Sequence, residues 1–237
     1  MSTFVLVHGG GQGGWCWKPC ARVLRAAGHE VYTPTLTGFG ERAHLRAASF
    51  ETYVEDVARV LEFEDLQGVV LVGHSMGGGI VARVAERSPG RIAAVVFVAA
   101  VVARDGETLL DATPQTPWVA RAVRIGADGT AHTDPEKMLE ANLHDGDATQ
   151  REWVLRRHTD YPPFGLVEPG RLSAFLALGL PTGYVVATQD RTIDPKLQEE
   201  FAARLPSCRR AAVDAGHGCM ITRPEETARA ILAISPR

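Results

Sequence analysis

Val69-Val70-Leu71-Val72-Gly73-His74-Ser75-Met76-Gly77 decides the reading of this chain. Four apolar residues in an unbroken run read as a strand covered on both faces. Gly73, Ser75 and Gly77 fit G-x-S-x-G, and a helical pattern follows from Met76 to Arg87. A sharp strand-to-helix turn forces the serine into strained backbone and lifts its hydroxyl clear of the sheet. Glycines two before and two after give that turn its room. The helix that follows aims its positive end at the hydroxyl. The bland alternative is a chance Gly/Ser turn, and the strand before it and helix after it argue against that. Ser75 is the candidate nucleophile.

The alternation continues in both directions. Apolar runs lie at Phe4–Val7, Val31–Thr33, Ala94–Val98, Tyr184–Ala187 and Ala211–Val213. Helical patterns lie at Lys18–Ala27, Phe50–Phe63, Pro195–Leu205 and Pro224–Ile234. Ser49, Asp194 before Pro195, and Thr222 with Glu225 are start signals for three of them. Such alternation predicts a doubly wound, mostly parallel α/β sheet. It stops between about Arg104 and Leu180, a stretch with helical patterns and the turn Gly126-Ala127-Asp128-Gly129 but no convincing strand. We read one domain with its core at 1–103 and 181–237 and a helical lid insertion at 104–180 over the sheet's carboxyl edge.

The chain has 237 residues, 45% hydrophobic and 22% charged, enough to build a core without disulfide or metal. A net charge of −3 with no basic run argues against nucleic acid as the main partner. Cys16, Cys20, Cys208 and Cys219 show neither a CxxC pair nor Cys/His ligand spacing, so buried reduced thiols are expected, with no metal and no cofactor. No signal-peptide pattern and no run of roughly 18 apolar residues is visible. The expectation is a cytoplasmic protein with no membrane partner, a monomer or homodimer.

A serine needs a base. Of eight histidines, His217 sits in Ala215-Gly216-His217-Gly218, a loop between the last strand and the last helix that opens on the same sheet edge as Ser75. His8 is expected to shape its loop and His74 to orient or line the pocket. The base needs a carboxylate. Asp190 follows the Tyr184–Ala187 strand by three residues. Asp194 reads as a helix cap, Asp214 is too close to His217 in the chain, and Asp105 is the runner-up. The chain order is then Ser75, Asp190, His217. Donors for a developing oxyanion are expected from the N–H groups of Gly10 and Met76, since His8-Gly9-Gly10-Gly11 follows the first strand. Gly9, Gly11 and Gly14 also fit G-x-G-x-x-G, but the next strand ends Tyr32-Thr33-Pro34-Thr35 without the acid a dinucleotide site wants.

These residues resemble the α/β-hydrolase superfamily, and within it the plant methylesterase and hydroxynitrile lyase family with its bacterial esterase relatives. The likeness runs through Phe4-Val5-Leu6-Val7-His8-Gly9, Gly14-Trp15, Ala27-Gly28-His29-Glu30-Val31, Val70 to Gly78, Gln189-Asp190 and Gly216-His217. It covers about residues 4–102 and 183–235. It implies an α/β-hydrolase fold, triad roles for Ser75, Asp190 and His217, and oxyanion roles for Gly10 and Met76. The hydroxynitrile lyases place a lysine after the catalytic histidine and a threonine after the first strand's histidine. Gly218 and Gly9 stand there in this chain, which favours hydrolysis.

The expected activity is cleavage of a small-to-medium carboxylic ester through an acyl-enzyme. Gly9, His74, Trp118, Met138, Leu139, Trp153 and Phe164 are the candidate substrate-binding residues, with Val119 and Leu143 as further apolar lid residues. Each lid residue has the competing reading of packing within its own helices. Arg121, Arg124, Arg156 and Arg157 suit either a solvated helix face or a clamp for an anionic thioester. The alternatives are a thioesterase, a C–C or cyanohydrin-type lyase on the same triad, and a non-catalytic ligand receptor.

Overall fold

The computed structural model describes residues 1–113 and 122–236. Its strands are β1 (Thr3–Val7), β2 (Glu30–Tyr32), β3 (Val69–His74), β4 (Ile92–Val98), β5 (Val123–Ile125), β6 (Ala131–Thr133), β7 (Thr182–Ala187) and β8 (Arg209–Val213). Its helices are α1 (Lys18–Ala26), α2 (Phe50–Phe63), α3 (Gly77–Arg87), α4 (Leu109–Ala112), α5 (Pro135–Asn142), α6 (Ala148–Leu155), α7 (Phe164–Val167), α8 (Leu172–Leu176), α9 (Pro195–Ala203), α10 (Cys219–Thr222) and α11 (Pro224–Ile234). Six strands pair in the order β2-β1-β3-β4-β7-β8. Every pairing in that sheet is parallel.

Alternate side chains along each strand enter opposite cores. Val5, Val7, Leu71, Val95 and Phe97 pack on the side of α2 and α3. Phe4, Leu6, Val70, Val72, Val96 and Val98 pack on the side of α1 and α11. A strand buried on both faces needs apolar residues at every position, which is why these runs stand out in the sequence. The chain leaves β1 toward β2 on one side and returns to β3 on the other. Loops leaving the carboxyl ends of β1 and β3 therefore diverge, and a crevice opens at this switch point. Gly9 and Gly10 follow β1, and Ser75 follows β3.

Two local expectations change. The stretch read as a helical insertion carries an antiparallel hairpin, β5 with β6, closed by the Gly126–Gly129 turn, and Ala131 bridges on to Tyr161. Val-Arg-Ile and Ala-His-Thr are too short and too mixed in polarity to announce strands. Thr222 does not cap α11, whose N-cap is Arg223. It ends α10, and its hydroxyl donates to Asp145 Oδ2 at 2.9 Å. Asp194 does cap α9, accepting the Lys196 N–H at 2.8 Å. Cys16, Cys20, Cys208 and Cys219 are free thiols, the first two and Cys219 buried. Among the described residues, no helix is long and apolar enough to cross a membrane.

Candidate active site

Ser75 lies between β3 and α3 with φ at 53°, a left-handed backbone that side-chain-bearing residues seldom adopt. The turn is stitched to the end of β4: the Ser75 N–H donates to Val98 O and the Val101 N–H to Ser75 O, each at 3.3 Å. A Cβ on Gly73 would lie 2.6 Å from Gly77 O, and one on Gly77 would lie 2.8 Å from the carbonyls of Val7 and His8. A side chain at position 73 would collide with the first turn of α3, and one at position 77 would push that turn off β1. The two glycines are what let the serine stand where it does.

His217 Nδ1–H donates to Asp190 Oδ2 at 2.7 Å, with both side chains buried. Asp190 Oδ1 takes the N–H groups of Thr192 at 2.7 Å and Ile193 at 2.9 Å. Gln198 Nε2 adds a bond to Oδ2 at 2.8 Å. The carboxylate is thus oriented by several fixed donors, and its bond to Nδ1 leaves the lone pair of the imidazole on Nε2. Among the described residues, the Ser75 hydroxyl has no hydrogen-bond partner and the His217 ring bonds only through Nδ1. Catalytic contacts of this kind often close only around substrate. The other acids are engaged elsewhere. Asp105 accepts from the N–H and hydroxyl of Ser173, and those bonds hold its carboxyl below the ordinary range. Asp214 accepts from Thr188 and Gln189.

The other two histidines near the serine fix backbone. His8 accepts the Leu36 N–H on Nε2 at 3.1 Å and donates from Nδ1 to Gly9 O at 2.8 Å. Burial pushes its imidazole down to about 4, so it stays neutral and pins the loop that presents Gly9 and Gly10. His74 donates from Nε2 to His217 O at 2.9 Å. Burial, and then His217 beside it, push it well below the histidine range. Neither the Gly10 nor the Met76 N–H is bonded to a described residue.

Ser75, Met76, His74, His217, Gly9 and Gly10 line one cavity. Its space, mouth included, is ≈ 540 Å³. Met138 lines it, as the sequence suggested; so do Leu109, Val123, Leu166 and Ile193, which make an apolar wall, and Gln12, Thr113, Asn142, Tyr161 and Thr192, which were not foreseen. Three expected lid residues face elsewhere. Leu139 is buried in the second core. Trp153 packs edge-on against Trp15 at 5.1 Å, under the Arg157 guanidinium. Phe164 leans on Tyr53 and borders an open surface depression. Their apolar character signalled packing, which outcompetes pocket lining for most large side chains. Trp118, Val119 and Arg121 lie outside the described residues. Arg156 pairs with Glu152, Arg124 sits exposed on β5, and neither they nor Arg157 line the cavity. A second cavity lies beyond Met76 and Leu109, which border both.

The profile of the alpha/beta hydrolase family matches residues 4–230. A carbendazim hydrolyzing esterase of Nocardioides sp. (strain SG-4G) is 41% identical over 164 residues, 66% of this chain and 68% of that protein. A pyrethroid hydrolase of Sphingobium wenxiniae is 27% identical across 98% of this chain and 86% of its own. Methylesterase 18 of Arabidopsis thaliana is 27% identical across 94% and 93%. Among solved structures, an extracellular α/β-hydrolase from a Paenibacillus species superposes with a TM-score of 0.85 at 23% identity, covering 100% of both chains. That likeness supports the α/β-hydrolase fold.

Proposed function

The chain belongs to the alpha/beta hydrolase family and is a hydrolase with esterase relatives; from that premise we propose that it cleaves small-to-medium carboxylic esters at Ser75 through an acyl-enzyme. His217 Nε2 takes the Ser75 proton as Oγ attacks the ester carbonyl. Asp190, bonded to Nδ1, stabilises the imidazolium that forms. The carbonyl oxygen, now negative, rests on the unspent N–H groups of Gly10 and Met76. The tetrahedral intermediate expels the alcohol, which carries away the proton from His217. Water then attacks the acyl group with the same base and the same donors, releasing the acid and restoring Ser75. The insertion acts as the lid, giving Leu109, Val123, Met138 and Leu166 to the apolar wall that holds the acyl or alcohol group. No step calls for a metal or an organic cofactor.

The observation that carries this reading is the Asp190–His217 pair opening onto the same cavity as a serine held at φ 53°. Cyanohydrin cleavage fits poorly. A Cβ on Gly9 would lie 2.9 Å from Ser75 Cβ, and one on Gly218 would lie 2.4 Å from Leu143 Cδ1. The threonine of the lyases would crowd the nucleophile itself, and their lysine would have to displace Leu143. A panel of p-nitrophenyl esters of increasing chain length, methyl esters, carbendazim and acyl-CoA thioesters tests the proposal. Short esters are expected to turn over, with Ser75→Ala slower by at least about a thousandfold. Fluorophosphonate is expected to label Ser75. Equal rates for the two proteins would place the activity elsewhere.

A further inference from the structure

Tyr161 is 3% exposed, yet among the described residues its hydroxyl has no hydrogen-bond partner. The hydroxyl is not sealed in the core, since Tyr161 borders the cavity. The rest of the residue is firmly held. Its N–H donates to Ala131 O at 3.2 Å, and its carbonyl accepts the Ala131 N–H at 2.8 Å. Its ring stacks on Phe39, centroids 5.3 Å apart and planes 25° from parallel. The next residue is tied down as well, since Pro162 O accepts the Tyr53 hydroxyl at 3.0 Å. A side chain fixed at its backbone, ring and flanking residue, with only its polar tip unspent, has the form of a preorganised donor.

The tip points at the first-strand loop. A Cβ built on Gly10 would lie 2.7 Å from the Tyr161 hydroxyl oxygen. Any side chain at position 10 would occupy the space the phenol now uses. Tyr161 also lines the same cavity as Ser75, Met76 and His217. We propose that the Tyr161 hydroxyl is a third donor to the oxyanion, bonding the ester's carbonyl oxygen beside the Gly10 and Met76 N–H groups. Burial pushes its phenol up, so it stays protonated and serves as a donor, never as a base. Supplied by the insertion, this donor makes the oxyanion site a joint product of core and insertion.

The inference rests on the esterase reading above, and the test separates the two. Tyr161→Phe keeps the ring on Phe39 and removes only the hydroxyl. Rates on p-nitrophenyl butyrate are expressed per site labelled to completion by fluorophosphonate, so unfolded protein does not count. The expected result is a fall in kcat of about 10- to 100-fold with KM within about twofold. Affinity for an aryl trifluoromethyl ketone, which forms an anionic hemiketal with the serine, is expected to fall by a similar factor, while affinity for the product acid stays the same. A variant with unchanged kcat and ketone affinity overturns the inference, as does one that raises KM alone. If Ser75→Ala matches wild type in the same assay, the esterase reading itself has failed. If Ser75→Ala is inactive and Tyr161→Phe is not impaired, only the role of the tyrosine has failed.

Discussion

Gln198 is wholly buried on α9 and commits its amide on three sides. Its Oε1 takes the Ala187 N–H at 3.0 Å, and its Nε2 donates to Ile193 O and to Asp190 Oδ2, each at 2.8 Å. One side chain thus closes the end of β7 and orients the proposed acid. Gln198→Leu would leave a buried N–H and a buried carbonyl unpaired, at about 1–3 kcal/mol each. Unfolding stability in urea is expected to drop by about 2–4 kcal/mol. Ester turnover at saturating substrate should fall about tenfold as Asp190 loses a donor. Full turnover in a destabilised protein would show that Thr192 and Ile193 orient the carboxylate without help. Gln198 could not be picked out by sequence, because a glutamine in an amphipathic helix looks like any solvated residue. Ser75, Asp190 and His217 could, because each combines a chemically apt side chain with a strand end just before it. The uncommitted tip of Tyr161 is equally invisible, since Tyr161-Pro162-Pro163 reads as a turn.

Residues of the 104–180 stretch hold the histidine loop from outside. At the last residue of α5, Asn142 O accepts the Gly218 N–H at 2.8 Å, and just beyond it Asp145 Oδ2 accepts the Gly216 N–H at 3.0 Å. Both neighbours of His217 are thereby tied to the end of α5 and the connection that follows it. Thr222, on α10, shares Asp145 Oδ2, and Thr192, beside the proposed acid, donates to Asn142 Oδ1. Asp145→Ala releases the Gly216 N–H and the Thr222 hydroxyl together. Turnover is expected to fall about tenfold or more, with a stability loss of about 1–3 kcal/mol. Thr222→Val removes one of the two bonds, leaves the loop amide held, and should stay within about threefold of wild type. Equal effects from the two variants would mean that the Gly216 tie does not position the base. None of this brace was legible beforehand. The sheet's strands declare themselves by continuous apolar runs, and α2 and α11 match their sequence patterns residue for residue. The insertion's elements are short, with polar caps and three-residue strands, and their contacts depend on where the core places them. Its large apolar residues do not tell core from cavity or surface: Leu139 enters the second core, Trp153 packs on Trp15, and Leu155 is exposed.

The molecule as a whole keeps His8 and His74 buried and neutral, and this sets how it responds to acid. His8 is held to about 4 in the fold, against the ordinary histidine value near 6.5 once unfolded. Between those values the unfolded chain binds a proton that the fold refuses, so stability rises with pH across the window and is lost as pH falls through it. His8 alone accounts for about 3 kcal/mol, complete by about pH 4. His74, also pushed down by burial, adds in the same direction. His132 has the opposite sign. Its bonds to Asp160 and Asp128 raise its pKa, so its contribution is full below 6.5 and is lost as pH rises through the raised value. That group is exposed and screened, and its effect is small. Carboxylates held down by hydrogen bonds, such as Asp105 and Asp160, lose their contribution only when pH falls below the ordinary carboxylate range. Urea unfolding at fixed ionic strength should therefore show stability falling by about 3 kcal/mol or more between pH 6.5 and 4, ahead of carboxylate protonation. His8→Gln keeps a donor and an acceptor but cannot titrate. It is expected to be less stable at pH 8 and to lose about 3 kcal/mol of that slope. A wild-type stability that is level across the window would mean that the two imidazoles accept protons in the fold as readily as in the open chain.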